Sequence, residues 1–238
     1  MSNIETLVRG ISDLQMDIDS DKLDKFKIYK NLLKEWNEKI NITAIKDDEE
    51  IDIKHFLDSL TIFKTGKLTE RKRVIDIGTG GGFPGVPIKI VEDSLEVVLL
   101  DSLNKRLKFL DEVIKELGLQ NIRTMHERAE DLGNNQDFRE KFDIAVSRAV
   151  ASLNILSEYC LPFVKLNGYF ISMKGSDSDE EIKDAEKAIK ILGGKLEDKI
   201  DIRIPQSDIV HSLLIIKKIS HTPTKYPRQS GKIKKNPL

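Results

Sequence analysis

Residues 73–85 read Arg-Val-Ile-Asp-Ile-Gly-Thr-Gly-Gly-Gly-Phe-Pro-Gly, and this stretch decides the fold. Val74, Ile75 and Ile77 have the apolar, β-branched character of a short buried strand, with one acid, Asp76, set inside it. Gly78, Gly80 and Gly82 then follow at every second position. A buried strand that runs straight into such a loop ends a parallel sheet and lets the backbone approach a ligand closely. The next strand-like run, Leu95-Glu-Val-Val-Leu-Leu-Asp101, closes on another carboxylate. A glycine loop after the first strand and an acid at the tip of the second describe a pocket for a ribose-bearing cofactor.

Working outward, the pattern alternates. Strands are expected at about 73–78, 96–101, 121–125, 142–147, 168–174, 196–203 and 210–218, and helices at about 84–92, 103–118, 151–164 and 177–193. Alternating strands and helices mean crossover connections and a mostly parallel seven-stranded sheet covered on both faces, an α/β fold. The last two strands are separated by only Pro205-Gln-Ser-Asp208, so one of them should run antiparallel. Upstream, Leu23, Phe26, Tyr29, Leu32, Leu33, Trp36 and Ile40 form one apolar helical stripe. After Asn41-Ile-Thr-Ala-Ile a second helix is expected from Asp48 to Phe63, with Ile51, Leu57 and Leu60 inward. His55 and Asp58, three apart on it, read as a surface pair. The expected organisation is a helical extension over 1–66, a catalytic domain over 67–220 and a basic tail over 221–238. Pro223, Pro227 and Pro237 predict that this tail is extended rather than helical.

The chain has 238 residues and a formal charge of −1, which argues against a uniformly basic nucleic-acid coat, but the charge is unevenly placed. Residues 1–70 carry fifteen acids and eleven Lys or Arg, a net of −4, whereas after Asp208 there are no acids and seven cations. A basic tail on a neutral body points to a polyanion gripped locally. Cys160 is the only cysteine, so an intramolecular disulfide is impossible, and its apolar neighbours make it a core residue. No metal site is expected, no run approaches membrane-spanning length, and the N-terminus lacks a basic region followed by an apolar run. The chain reads as a cytoplasmic protein without a membrane partner.

Two cofactors fit the glycine loop. Gly80, Gly82 and Gly85, with Asp101 downstream, match the dinucleotide fingerprint, although Pro84 sits where a phosphate-binding helix should offer free N–H groups. The spacing Asp76-x-Gly78-x-Gly80-x-Gly82 instead resembles the first motif of the Rossmann-like, class I S-adenosylmethionine methyltransferases. Further strings narrow the resemblance: Asn41-Ile-Thr-Ala, His55-x-x-Asp58-Ser59, Gly82-Phe-Pro-Gly85, Asp101-Ser-x-x-Lys105-Arg106, His126-Glu-Arg128-Ala129-Glu130, Ser147-Arg148-Ala149-Val150-Ala151, Lys174-Gly175 and Lys225-Tyr-Pro-Arg228-x-x-Gly231. Together these resemble the bacterial small-subunit rRNA guanine-N7 methyltransferases, also called glucose-inhibited division protein B or RsmG, over nearly the whole chain.

The resemblance implies methylation of N7 of one guanosine in 16S rRNA, with S-adenosylmethionine as donor and 16S rRNA or the small ribosomal subunit as partner of a monomer. Carried over, the cofactor contacts are Gly78, Gly80 and Phe83 in the loop, Asp101 on the ribose, Ala129 and Glu130 after the third strand, and Arg148 after the fourth. Arg148 would orient the cofactor carboxylate or the guanine, and no general base is expected, because N7 carries a lone pair and no proton. The chain lacks an Asn/Asp-Pro-Pro-Tyr motif for an exocyclic amine and a cysteine placed for C5 attack. Lys225, Tyr226, Arg228 and Lys232 are the expected RNA grip, with Lys105, Arg106 and Lys108 as an extension of it. The competing readings are an NAD(P)-binding Rossmann oxidoreductase and a non-catalytic RNA-binding or ribosome-assembly protein.

Overall fold

The structure, a computed structural model, describes residues 3–148, 151–176 and 178–238. Ala149 and Val150 of the motif after the fourth strand, and position 177 at the start of the expected fourth helix, lie outside the described residues.

Two helices lead the chain, α1 (Glu5–Asp13) and α2 (Ser20–Ile40). Asp19 caps α2 by accepting the Lys22 N–H (2.8 Å), and Asn41 ends it in the left-handed region at φ 49°. Phe26, Tyr29 and Leu33 are the fully buried part of its apolar stripe. The second expected helix is a composite: α3 (Asp48–Ile51), a π-helical turn over Asp52–Leu57, α4 (Asp58–Leu60) and a 3-10 turn over Thr61–Thr65. Asp47 starts it by accepting the Glu49 and Glu50 N–H groups. A buried Lys30–Asp52 ion pair (2.6 Å) locks α2 against the π-helical turn.

The strands are β1 (Arg73–Ile77), β2 (Glu96–Asp101), β3 (Ile122–His126), β4 (Phe142–Arg148), β5 (Val164–Gly175), β6 (Gly194–Arg203) and β7 (Val210–Lys218), in the order β3-β2-β1-β4-β5-β7-β6. β7 pairs antiparallel with both neighbours and every other pairing is parallel. The Leu213–Ile216 run of β7 is wholly buried, as a central strand covered on both faces requires. Helices α5 (Gly85–Val91), α6 (Asn104–Glu116), α7 (Ala129–Leu132), α8 (Leu153–Cys160), α9 (Asp179–Ile191) and α10 (Ser230–Lys235) complete the chain.

Two apolar cores flank the sheet. One joins α1, α2, α5 and α6 to side chains such as Val74, Leu99 and Ile144; the other joins α8 and α9 to Ile75, Val98 and Phe170, and includes Tyr226 and Ile233 from the C-terminal segment. The segment expected to be extended therefore carries a helix, because Ile233 has an apolar site to fill and Pro223, Pro227 and Pro237 all fall outside Ser230–Lys235. Strand order reverses between β1 and β4, which opens a crevice at their carboxyl ends where open α/β sheets bind ligands.

Candidate active site

Two carboxylates hold the glycine loop in place. Asp76 Oδ2 accepts from Thr79 Oγ1 (2.7 Å) and from the Gly85 N–H (2.8 Å), which ties the start of the loop to its end. Complete burial, partly offset by those two bonds, pushes the Asp76 pKa up to about 6. Asp101 Oδ2 accepts from the Gly80 N–H (2.9 Å) and its Oδ1 from the Leu103 N–H (2.8 Å). The Gly78 and Thr79 N–H groups both donate to the Leu100 carbonyl, joining the loop to the end of β2. Tyr29 of α2 donates its hydroxyl to the Gly81 carbonyl. Gly82 has φ 96°, and a Cβ there would meet the Tyr29 hydroxyl at 2.6 Å, so a side chain is excluded on both counts.

Beside this loop lies a cavity of about 530 Å³, within the usual range for a small-molecule site. Gly78, Asp101, Ala129, Glu130 and Arg148 of the expected cofactor contacts all line it. Gly80 and Phe83 do not: the Gly80 N–H is turned into Asp101, and the Phe83 ring is buried beneath the Arg148 guanidinium, 5.2 Å from ring centre to Cζ. The Ala129 and Glu130 N–H groups open α7 and have no hydrogen-bond acceptor among the described residues. Arg106, whose Nη1 lies 3.6 Å from Asp101, Tyr159, Ser230 and Lys234 also face the cavity. Their positions depend on tertiary contacts, so no local pattern could have found Tyr159, Ser230 or Lys234.

Arg148, at the end of β4, is fixed from the other side. Its Nη1 donates to the Lys54 carbonyl (2.9 Å) and to Asp58 Oδ2 (2.7 Å), and its Nη2 donates to His55 Nδ1 (3.3 Å). His55 stacks on Phe83 with ring centroids 4.4 Å apart, and its Nε2 meets Thr43 Oγ1 at 2.8 Å. Burial, reinforced by Arg148, pushes the His55 pKa down to about 3, so the ring is neutral at physiological pH. For Asp58 burial raises the pKa, but the His211 hydrogen bond and Arg148 together more than offset it, and the carboxyl sits below its ordinary value. The expectation of a surface pair at His55 and Asp58 is therefore corrected: Asp58 is buried and His55 half-buried, and the pair meets β4 and β7.

The expected RNA grip also divides. Lys225 and Lys232 are exposed. Tyr226 is buried, and Arg228 donates through Nε and Nη2 to the buried Glu158. Arg139 donates to the Tyr226, Thr222 and Pro223 carbonyls, so the segment is clasped to the body from both sides. An apolar seat takes up the Tyr226 ring, and a buried carboxylate engages the Arg228 guanidinium. Cys160 is buried and burial raises its thiol pKa, which leaves it without nucleophilic character.

The first turn of α5 bears on which cofactor fits. Its Gly85 N–H is taken by Asp76, the Val86 N–H by the Gly82 carbonyl (2.8 Å) and the Ile88 N–H by the Pro84 carbonyl (3.1 Å), while Pro87 has none. A pyrophosphate binds at such a turn through free N–H groups, and here every one is engaged. Among the described residues no group of three or more His, Cys, Asp or Glu is placed to hold a metal ion, and no helix is long and apolar enough to cross a membrane.

A family model described as rRNA small subunit methyltransferase G matches residues 22–207. A curated ribosomal RNA small subunit methyltransferase G of Clostridium tetani is 51% identical over 238 residues, covering all of both chains. One of the same name from Acetivibrio thermocellus is 56% identical over 232 residues, 98% of this chain and 95% of that one. Among solved structures, TrmN from Thermus thermophilus aligns with a TM-score of 0.52 at 16% identity, over 68% of this chain and 48% of that one. M. jannaschii TYW2, solved in complex with AdoMet, gives 0.53 at 15% identity, over 68% and 77%. At that identity the two structures speak for the fold alone.

Proposed function

The chain belongs to the rRNA small subunit methyltransferase G family, and from that premise we propose that it is an enzyme that methylates N7 of one guanosine in 16S ribosomal RNA with S-adenosylmethionine as donor. The observation that carries the choice of cofactor is the pairing of a cavity at the carboxyl ends of β1, β2 and β4 with an α5 turn whose N–H groups are all engaged. A nicotinamide dinucleotide would find no phosphate cradle there; a sulfonium nucleoside needs none.

Bound in that cavity, S-adenosylmethionine supplies an electrophilic methyl group. The residues present fit it. Asp101 keeps lone pairs for ribose hydroxyls, since a carboxylate offers about four acceptor sites and, among the described residues, two N–H donors hydrogen-bond to it with the Arg106 guanidinium 3.6 Å away. The Ala129 and Glu130 N–H groups, without an acceptor among the described residues, suit the acceptor edge of adenine, with the Glu130 carboxylate beside them. Gly78 lets the backbone approach the amino-acid end. Arg148 has N–H donors left for a carboxylate or for guanine O6.

Guanine N7 has no proton to remove, so no side chain has to act as a base. His55 and Asp58 agree with this, since both are committed to Arg148, Thr43 and His211. The contribution of the protein is orientation, electrostatic matching and exclusion of water. N7 lies in a groove of A-form RNA that side chains reach poorly, so the target is an unpaired or extruded nucleotide. The exposed Lys225, Lys232, Lys234 and Lys235, with Lys105 and Lys108 of α6, form the basic surface for flanking phosphates. In this reading residues 1–66 brace the site, 67–220 carry it and 221–238 present the lysines, in a cytoplasmic monomer. Calorimetric titration tests it first: S-adenosylmethionine or S-adenosylhomocysteine should bind and NAD should not. Binding of NAD with no affinity for either sulfur nucleoside would overturn the assignment.

A further inference from the structure

His55 and Asp58 stand out in the sequence but take no direct part in the chemistry above. Their geometry assigns them a task. Arg148 leaves the sheet at the end of β4, yet the partners of its Nη1 and Nη2 all come from the π-helical turn and the start of α4, in the N-terminal extension. A guanidinium has five N–H hydrogens. Nη1 spends two, on the Lys54 carbonyl and Asp58 Oδ2, and Nη2 spends one on His55. The Nε hydrogen and the second Nη2 hydrogen have no partner among the described residues, and Arg148 is a wall of the cavity.

The bonding also fixes each partner. Arginine only donates, so His55 Nδ1 is the acceptor, the ring proton sits on Nε2, and that N–H points at Thr43 Oγ1 of the Asn41-Ile-Thr-Ala string. Asp58 Oδ2 faces Arg148 while its Oδ1 accepts from His211 Nδ1 of β7 at 2.8 Å. The far end of the carboxylate is thereby anchored on the sheet, 153 residues away in sequence. Phe83, sandwiched between His55 and Tyr29, floors the arrangement (ring centroids 4.4 and 5.5 Å). A π-helical turn is an uncommon device that tends to occur at functional sites, and this one brings the Lys54 carbonyl and His55 to the same guanidinium.

We propose that Asp58, His55 and His211 are positioning residues for the donor site: they hold the Arg148 guanidinium so that its two remaining N–H groups face the cavity, which makes the N-terminal extension a working part of that site. The proposal rests on the donor assignment above. Two measurements on the whole 238-residue chain separate the failure of one from the failure of the other. The first uses no ligand. In protein labelled with 13C,15N-arginine, NMR should show slow rotation of the Arg148 guanidinium in the native chain, and rotation should be fast in Asp58→Asn. Free rotation in the native chain, or an unchanged rate in the variant, would overturn the positioning role whatever the cavity binds.

The second is a double-mutant cycle read as calorimetric affinity for S-adenosylhomocysteine. Asp58→Asn should weaken binding about tenfold through lost orientation, and Arg148→Ala by as much or more. The double variant should be no weaker than Arg148→Ala alone, because Asp58 acts through Arg148. Independent losses that multiply would overturn the proposal. Should Asp58→Asn fold poorly, His211 carries the same cycle. His211→Asn keeps an N–H donor for Asp58 and should retain affinity, while His211→Leu should lose it several-fold when both are compared at a temperature where each is fully folded. Equal affinity of His211→Asn and His211→Leu would contradict the role. A native chain with no affinity for the sulfur nucleosides would sink the donor assignment, and the NMR result would still decide whether Arg148 is held.

Discussion

Arg228 offers the sharpest contrast between what its position in a basic tail suggests and what its surroundings require. The perturbation is Arg228→Lys, which keeps the charge and shortens the fork. In the native chain Glu158 has a side chain only 1% exposed, and it accepts from Arg228 Nε (2.9 and 3.2 Å), Nη2 (2.7 Å) and the Arg228 backbone N–H (2.8 Å). Lysine cannot reproduce the two-pronged match to a carboxylate. Removing the partner of a buried charge costs about 3–5 kcal/mol; with the backbone bond and a charge kept, Arg228→Lys should cost roughly half of that, about 2 kcal/mol. For a chain of this size that lowers the melting temperature by about 4–8 °C. Arg228→Ala should fall further, and adding Glu158→Gln to it should recover most of the loss, because no buried charge is then left unpaired. Calorimetric melting measures stability, and filter binding of 16S RNA across a salt series measures the phosphate role. If Arg228 is structural, Arg228→Lys is destabilised and its salt slope is that of the native chain. A native-like melting temperature combined with a shallower salt slope for Arg228→Ala would refute the reasoning and return Arg228 to the RNA surface.

Two further predictions concern the loop and the tail. Burial raises the Asp76 carboxyl from an ordinary value of 3.8 to about 6 in the folded state, so the fold favours the protonated form. That contribution is fully present below about pH 4 and is lost as pH rises through 6, a change of roughly 3 kcal/mol by linkage. Asp76→Asn should therefore gain stability relative to the native chain between pH 4 and 7 in urea titrations, and parallel pH profiles for the two would contradict this. For the tail, replacing Lys232, Lys234 and Lys235 by alanine should reduce the slope of log affinity for RNA against log salt by about 0.7 for each phosphate that is no longer neutralised, whereas an unchanged slope would remove these lysines from the interface.

What was legible in the sequence was local. Asp76 within β1, the positive-φ glycines and Asp101 at the tip of β2 each announce their geometry within a few residues, and the seven strands fall within a few residues of where alternation placed them. The wall of the cavity was legible in part: Gly78, Asp101, Ala129, Glu130 and Arg148 converge on it. Contacts between distant elements were not legible. Asp58 meets His211, Arg139 clasps the carbonyls after β7, and Glu158 claims Arg228, each across a separation that carries no periodic signal. A lysine or arginine in a proline-containing tail looks the same in sequence whether it faces solvent or a buried carboxylate. The tail helix carries no local signal for a related reason: α10 is six residues long and holds its place through Ile233 in the α8–α9 core rather than through intrinsic propensity.

In the proposed reaction the cavity beside the glycine loop places a methyl donor against a ribosomal guanine. This is tested most directly by incubating the protein with S-adenosylmethionine labelled in its methyl group and with 16S RNA or small subunits that lack the modification, then mapping the label. Stoichiometric transfer to N7 of a single guanosine in 16S RNA is expected, with one S-adenosylhomocysteine released per methyl. Label on a carbon or an exocyclic amine, or no transfer to either substrate by a protein that binds the donor, would contradict it.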